Sequence, residues 1–395
     1  MLPLAGLSVI AVEQYGAGPY GTMQLADLGA EVIKIENPED GGDVSRGVGP
    51  YFLGDNDSHF FQSFNRNKRS LTLNLKKPGA AEVLHALVRR ADGVLDNLRG
   101  DLAERLGLTY AALKAANPRI VCAHLSAYGR HGSRASWPGY DYLMQAEAGY
   151  LSLTGEPEGP PARMGLSVVD MMTGLFAAFG LVASIMAARA TGEGRDIDVS
   201  LFGGALQNLS YLATWYLNEG HAQAREARSA HPSITPSQLY RTKDGYIFIM
   251  CNKEKFWTLL CDAVGRPEWS THPDFRSFKE RFAHRARLTE LLDGVLGERT
   301  TADWLARFAG RVPAAPVNDI ASALENPFAR EDARIWQVPH PARADFRMVG
   351  APFDCPGEEL PKRPGPGLGE HTDEILAACG YSAERIAALR AEGIV

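Results

Sequence analysis

The sequence predicts an α/β fold: a Rossmann-like large domain assembled from the N- and C-terminal parts of the chain, plus a smaller α+β domain between them. Three observations lead there. Apolar strand patterns alternate with helical patterns over the first 200 residues, as in a doubly wound parallel sheet. The texture then changes to a hairpin and helices rich in Trp and Phe. The last helical pattern has no local apolar partner and is expected to pack back on the first domain. At 395 residues the chain also exceeds one ordinary core.

Leu7–Val12 reads as a buried strand and Glu31–Glu36 as the next. Between them Met23–Leu28 has helical spacing, and Gly29 supplies the stop. This β-α-β unit implies parallel strands and a right-handed crossover. Ser70–Leu75, Gly93–Asp96, Ile120–Leu125 and 196–200 continue as strands, and helices are expected over 78–90, 102–106 and 171–190. Residues 1–200 therefore form the first part of the large domain, and 201–224 a linker. The small α+β domain covers 225–325, opening with a hairpin around Lys243-Asp-Gly245. Residues 326–395 form a connector, Pro-rich over 356–366, and the return to the large domain.

The net charge of −6 gives no reason to expect a nucleic-acid partner, which would favour a basic face. Five cysteines without a Cys-x-x-Cys pair suit a reducing cytosol and offer neither a disulfide framework nor a metal site. The histidines show no H-x-x-x-H pattern, which also argues against zinc. The N-terminus lacks the basic region of a signal peptide. The most apolar stretch, Leu175–Ala188, is interrupted by Gly180 and reads as too short for a bilayer. A soluble, cytoplasmic protein with no membrane partner is expected.

Gly16-Ala-Gly-Pro-Tyr-Gly21 satisfies G-x-G-x-x-G between a strand and a helix. It reads either as a dinucleotide site or as a tight turn packing helix on strand. Pro19 favours the turn, because proline has no N–H to give a phosphate. Asn65-Arg-Asn-Lys-Arg69 is a basic cluster at a strand edge, suited to a solvated face or to charge-assisted bonds with phosphates or carboxylates. In Met164–Gly174 an apolar strand pattern delivers Asp170 to the start of a long helix. Asp170 is either an N-cap or a carboxylate kept ionised by the helix N-terminus, as a carboxylate nucleophile requires. Asp141, in Gly139-Tyr-Asp141, fits a cap as well as a functional group, and His231 reads as a satisfied loop histidine. No G-x-S-x-G occurs, which argues against a hydrolase elbow.

In order and spacing, a set of segments resembles the family III CoA-transferases, the group that includes formyl-CoA transferase and carnitine CoA-transferase. They are Ala17-Gly-Pro19, Leu28–Glu36, Asn67–Ser70, Asn97 with Arg105-Leu-Gly107, Asn117-Pro-Arg119, Val169–Gly174, Val349–Phe353 and Leu368–Thr372. The resemblance runs over nearly the whole chain. It implies Asp170 as the covalent nucleophile. It implies CoA contacts from Gln14, Tyr15, Gly16 and Ala17, from Leu73 and Lys76, from Asn97 and Leu98, and from Arg105. It further implies a homodimer of interlocked rings, with acyl-CoA and a carboxylic acid as substrates and no other cofactor or metal. The imperfect fingerprint then becomes a CoA-contacting turn.

Two departures stand out. Members often carry Arg where this chain has Asn37, and the glycine-rich loop of formyl-CoA transferase has no match near His231–Ile234. Many similar enzymes use short dicarboxylates such as succinate, and Arg46 or Arg66 is expected to meet the distal carboxylate. Alternatives are an α-methylacyl-CoA racemase-like enzyme, an NAD-linked oxidoreductase on Gly16–Gly21, and a non-catalytic acyl-CoA-binding homologue. For the racemase, Tyr140 and Gln238 make a poor acid/base pair.

Overall fold

A computed structural model describes residues 1–395. The chain forms two compact units, one of residues 1–148, 165–210 and 328–395, the other of 149–164 and 211–327. Residues 149–164 thus fall in the second unit, although they lie inside the span 1–200 expected for the large domain.

The large unit is built on a six-stranded sheet. In chain order its elements begin with β1 (Ser8–Val12), α1 (Ala17–Asp27), β2 (Glu31–Glu36), α2 (His59–Asn65), β3 (Arg69–Thr72), α3 (Ala80–Val88) and β4 (Gly93–Asp96). They continue with β5 (Val121–Ser126), α4 (Asp141–Glu147), α5 (Val168–Thr191), β6 (Arg195–Ser200) and α6 (Leu201–Asn208). The strand order is β3-β2-β1-β4-β5-β6, parallel throughout. Ile10 lies opposite Ile33 on one side and Val94 on the other. Sheets covered on both faces give near-continuous apolar runs, which is why these strands are legible.

One face holds Ile10, Ile33, Leu71 and Val94 against Val83, Leu84 and Leu87 of α3. Each such fully buried aliphatic side chain contributes about 1.5–3 kcal/mol. The other face is covered by α1 and α5, which cross at glycines. A Cβ on Gly21 would collide with the Gly174 carbonyl, and one on Gly174 with the Ala17 carbonyl. Across the strand ends, His124 of β5 bridges Asp96 (2.6 Å) and Asp196 (3.0 Å). Burial alone would lower the His124 imidazole, but hydrogen bonds to Asp196 and Asp96 outweigh it and raise its pKa to about 9.

Two local expectations are corrected. The apolar stretch around Leu175–Ala188 is not too short for a bilayer: α5, the helix expected over 171–190, runs for 24 residues with Gly180 inside it and is long and apolar enough, by length and composition, to cross a membrane. A glycine inside a helix costs only about 1 kcal/mol, and here Ile197 lies 3.0 Å from where a Cβ would sit. Val169, Ala177, Leu181 and Ile185 of α5 are buried, while Phe179 and Met186 are exposed. Residues 164–167 are not a strand, and α5 begins at Val168. Asp170 therefore sits in the first turn of the helix, as its third residue, and does not cap it.

The smaller unit contains the antiparallel hairpin β7 (Ser237–Thr242) and β8 (Gly245–Met250), with Thr242 opposite Gly245. Helices α7 (Glu254–Ala263), α8 (Arg285–Leu296) and α9 (Thr301–Phe308) follow, and β9 (Ala314–Pro316) pairs with β8. Trp257, Leu292, Trp304 and Phe308 build its core. His231 Nδ1 accepts the N–H groups of Ser233 and Ile234, each at 3.1 Å. The chain then returns to the large unit, where α10 (Thr372–Ala378) and α11 (Ala383–Ala391) bring Ile375, Leu376, Ile386 and Leu389 into the sheet core.

Candidate active site

Val12 ends β1, and residues 13–16 turn the chain into α1. Three side chains hold that turn by its backbone. Asn97 Oδ1 accepts the Gln14 N–H (2.8 Å), and its Nδ2 donates to the Gln14 carbonyl (2.7 Å). Asp43 Oδ1 accepts the Tyr15 N–H at 3.0 Å. Lys34 Nζ donates to the Glu13 carbonyl at 2.9 Å. Tyr15 is thereby kept at φ 69°, a conformation that costs a side-chain-bearing residue about 1 kcal/mol or more.

Beneath the turn lies a nest of paired charges. Lys34 meets Asp43 at 2.8 Å, and Lys68 meets Glu13 at 2.7 Å, all four side chains fully or nearly fully buried. Arg46 makes a two-pronged bond to Glu36 (2.8 and 2.7 Å) and donates to the Pro366 carbonyl (3.0 Å). Burial lowers the Lys68 pKa to about 8 despite the Glu13 charge. For Lys34, burial is outweighed by Asp43, Glu13 and Glu36, which hold the ammonium above its ordinary value.

Asp170 faces the turn. An ideal Cβ on Gly16 would lie 2.6 Å from Asp170 Oδ2, so glycine is required there for the carboxylate to sit against the start of α1. Gly18 similarly makes room for Asn97. With Gly21 against Gly174, all three fingerprint glycines serve close packing. The first-turn N–H groups of Ala17 and Gly18 have no acceptor within the chain. Asp141 of α4 reaches across to α5, and its Oδ2 accepts the Asp170 N–H at 2.9 Å. Burial first, and then the Asp141 charge, push the Asp170 pKa up to about 7. This is opposite to the ionised state expected from the helix N-terminus, because burial and a like charge oppose that favourable field.

Asp170 opens into a cavity of about 450 Å³, lined also by Gln14, Tyr15, Gly16, Ala17, Asn97 and Leu98. A second cavity of about 320 Å³ holds Leu73 and Lys76 and shares Gln14, Val44 and Leu98 with the first. The structure thus gathers Asp170 and eight of the nine expected CoA contacts into two adjoining cavities. Arg105 lines neither. Its side chain is 69% exposed, 3.7 Å from Asp101. Asn97 lines the first cavity, but its carboxamide is spent on the Gln14 backbone. Asn37 lines the second and accepts the Glu39 N–H.

Other expectations fail on partners that the sequence hides. Arg46 is committed to Glu36. Arg66 is committed to Asp27 (2.6 Å) and the Val349 carbonyl (2.9 Å), so neither is free for a substrate carboxylate. The Asn65–Arg69 cluster is no ligand patch: Asn67 also binds Asp27, Lys68 binds Glu13, and Arg69 pairs with Glu31 and Glu374. Gln238 is buried in the small unit and donates to Thr289 at 2.9 Å, which removes it as a racemase acid. Asp43 and Lys34 were missed, because nothing in their local sequence marks a side chain that turns to hold a distant loop. No group of three or more His, Cys, Asp or Glu side chains is arranged to hold a metal ion.

Both cavities border the carboxyl ends of parallel strands, where α/β proteins of this topology bind ligands. The class is an acyl-CoA-handling α/β enzyme: residues 4–372 match CoA-transferase family III, and the chain belongs to that family. A protein named acetyl-CoA:oxalate CoA-transferase, from Acetobacter aceti, is 38% identical over 92% of this chain and 92% of its own. One named succinate–glutarate CoA-transferase, from Agrobacterium fabrum, is 32% identical over 95% of each. The crystal structure of a CAIB/BAIF family protein from Brucella suis matches with a TM-score of 0.82 at 32% identity, covering 96% of this chain and 99% of that one.

Proposed function

We propose that this CoA-transferase moves CoA from a short dicarboxylic acyl-CoA, such as succinyl-CoA, to a carboxylic acid through covalent intermediates on Asp170. The observation that carries this reading is the placement of the Asp170 carboxylate against the unpaired amides of α1, inside a cavity that adjoins a second one. CoA would lie along both, its adenosine end by Leu73 and Lys76 and its thiol arm passing Leu98 to Asp170. Coenzyme A is substrate here, and no further cofactor is needed. The names of similar proteins support short dicarboxylates. With Arg46 and Arg66 committed elsewhere and Arg99 of the cavity wall bonded to Asp101, Gln14, Tyr15, Ser126, Trp137 and Tyr140 are the polar side chains of that wall left to meet a distal carboxylate.

The Asp170 carboxylate attacks the thioester carbonyl, the C–S bond breaks, and CoA departs as thiolate, leaving an aspartyl anhydride. The thiolate then attacks the aspartyl carbonyl and releases the donor acid, giving an enzyme–CoA thioester. The acceptor carboxylate attacks that thioester and the steps reverse. Each tetrahedral oxyanion can be met by the Ala17 and Gly18 N–H groups. Asp170→Asn should fold, bind CoA and lose transfer by several orders of magnitude. The parent, incubated with acyl-CoA and then hydroxylamine or borohydride, should carry a modification on the peptide containing Asp170. An active Asn variant and an unmodified peptide would refute the reading.

The enzyme is further proposed to be a cytosolic homodimer of interlocked rings. The exposed apolar side chains of α5, Phe179 and Met186 among them, support a face covered by a second copy. Sedimentation should show a dimer at micromolar concentration that persists on dilution; a stable folded monomer would exclude it.

A further inference from the structure

We infer that Asp141 is the positioning residue of the nucleophile: it fixes the Asp170 backbone and confronts the Asp170 side chain with a like charge that acylation removes. The inference rests on the reading of Asp170 as the covalent residue.

The geometry is a brace between two helices. Asp141 Oδ2 accepts the Asp170 N–H at 2.9 Å, and Oδ1 accepts Gln145 Nε2 at 2.6 Å. The same Nε2 donates to the Leu166 carbonyl at 3.1 Å, just before α5 begins. Asp141, Gln145 and Asp170 are all buried. The two groups that hold the Asp141 carboxylate are thus a neutral amide and a backbone N–H, with no cation between it and Asp170. The surrounding elements supply none. In α1 the charged residue is Asp27, bonded to Arg66. In α4 the other is Glu147, bonded to Tyr128 and Arg134. Asp96, His124 and Asp196 of the strands bind one another, Asp198 binds Arg130, and Arg195 is exposed at the start of β6. No charged residue occurs in α6. Arg99, in the cavity wall, is bonded to Asp101. Of all these, Asp141 alone acts on the charge of Asp170, beside burial itself.

The consequence follows from charge balance. Ionised Asp170 faces an anion. When its oxygen bonds to the acyl carbon and the C–S bond breaks, the negative charge leaves on the CoA sulfur and Asp170 becomes part of a neutral anhydride. The later enzyme–CoA thioester is neutral too. Asp141 therefore raises the free energy of the ionised resting enzyme relative to both covalent states, so its charge favours acylation. Protonation and acylation neutralise the same oxygen pair. Whatever Asp141 adds to proton affinity it also adds to the acylation equilibrium, about tenfold for each pH unit.

The test is single-turnover labelling of Asp170 by acyl-CoA from pH 5 to 9, with the extent of labelling read by mass spectrometry. For the parent, labelling should rise through a limb near pH 7. In Asp141→Asn the limb should move toward the ordinary carboxylate range, and the equilibrium extent of labelling should fall about tenfold for each unit moved. A variant that labels slowly with its limb unmoved would show Asp141 to be a backbone support only, and would overturn the inference. So would a limb that moves with the extent unchanged. Asp141→Glu keeps the charge and should hold the limb near pH 7 while labelling more slowly. If the Asn variant fails to fold, a limb displaced to the ordinary range in the Glu variant overturns the inference. Absence of any Asp170 label in the parent would instead refute the nucleophile itself.

Discussion

Two buried clusters of charge border residues 13–16, and they are built on opposite rules. In one, Lys34, Lys68 and Arg46 meet Asp43, Glu13 and Glu36, so each buried charge has a counter-charge. In the other, Asp170 and Asp141 are two carboxylates with no cation. Buried ion pairs are costly to desolvate and rarely beat an apolar core for stability, yet breaking one leaves a stranded charge. The paired cluster therefore serves as a rigid floor. The unpaired one raises the free energy of the ionised carboxylate that is proposed to react. The lesson is that the uncompensated pair, not the densest cluster, holds the carboxylate proposed to react.

Two experiments can break this contrast. The larger effect is expected in the floor. Lys34→Met strands Asp43 and leaves the Glu13 carbonyl without its donor, and should destabilise the protein by about 3–5 kcal/mol, read by denaturant unfolding. A loss under about 1 kcal/mol would mean that the floor tolerates unpaired charge. The smaller effect has the opposite sign. The folded pKa of Asp170, about 7, lies above its ordinary 3.8. Its favourable contribution is therefore present below pH 4 and is lost as pH rises through 7. Asp170→Asn removes that penalty and should stabilise the protein by about 2 kcal/mol at pH 8, with little gain at pH 4. The figure allows for the helix N-terminus, which favours the anion. Equal melting shifts at both pH values would show that Asp170 carries no excess of proton affinity.

The doubly wound sheet was legible because its strands are apolar on both faces, and the hairpin because its turn residues are distinctive. Asp170 stands as the candidate nucleophile chiefly through family resemblance; by local pattern it is another acidic residue near a helix start. Asp141 stayed ambiguous because it opens its own short helix while bonding to the next. Arg46 and Arg66 were misassigned for a related reason. A sequence shows an arginine but not the Glu36 or Asp27 that already holds it, and a committed guanidinium looks identical to a free one. Gly180 misled differently: taken as a break in the apolar run Leu175–Ala188, it made that run look shorter than the 24-residue helix that contains it.

The floor under the turn is finished by the far end of the chain. Arg46 donates to the Pro366 carbonyl, Gln62 Oε1 accepts the Gly365 N–H, and Asn67 Oδ1 accepts the Arg363 N–H. These contacts join residues about 300 positions apart. On the ribosome, most of the polypeptide must emerge before those groups meet their partners. Until then Arg46 and Asn67 lack part of the shell that makes their burial tolerable. Synthesis order thus places the completion of the turn at residues 13–16 among the last events of folding. A nascent chain stopped before residue 361 would have Asp170 and the turn it faces but an unfinished bed beneath them.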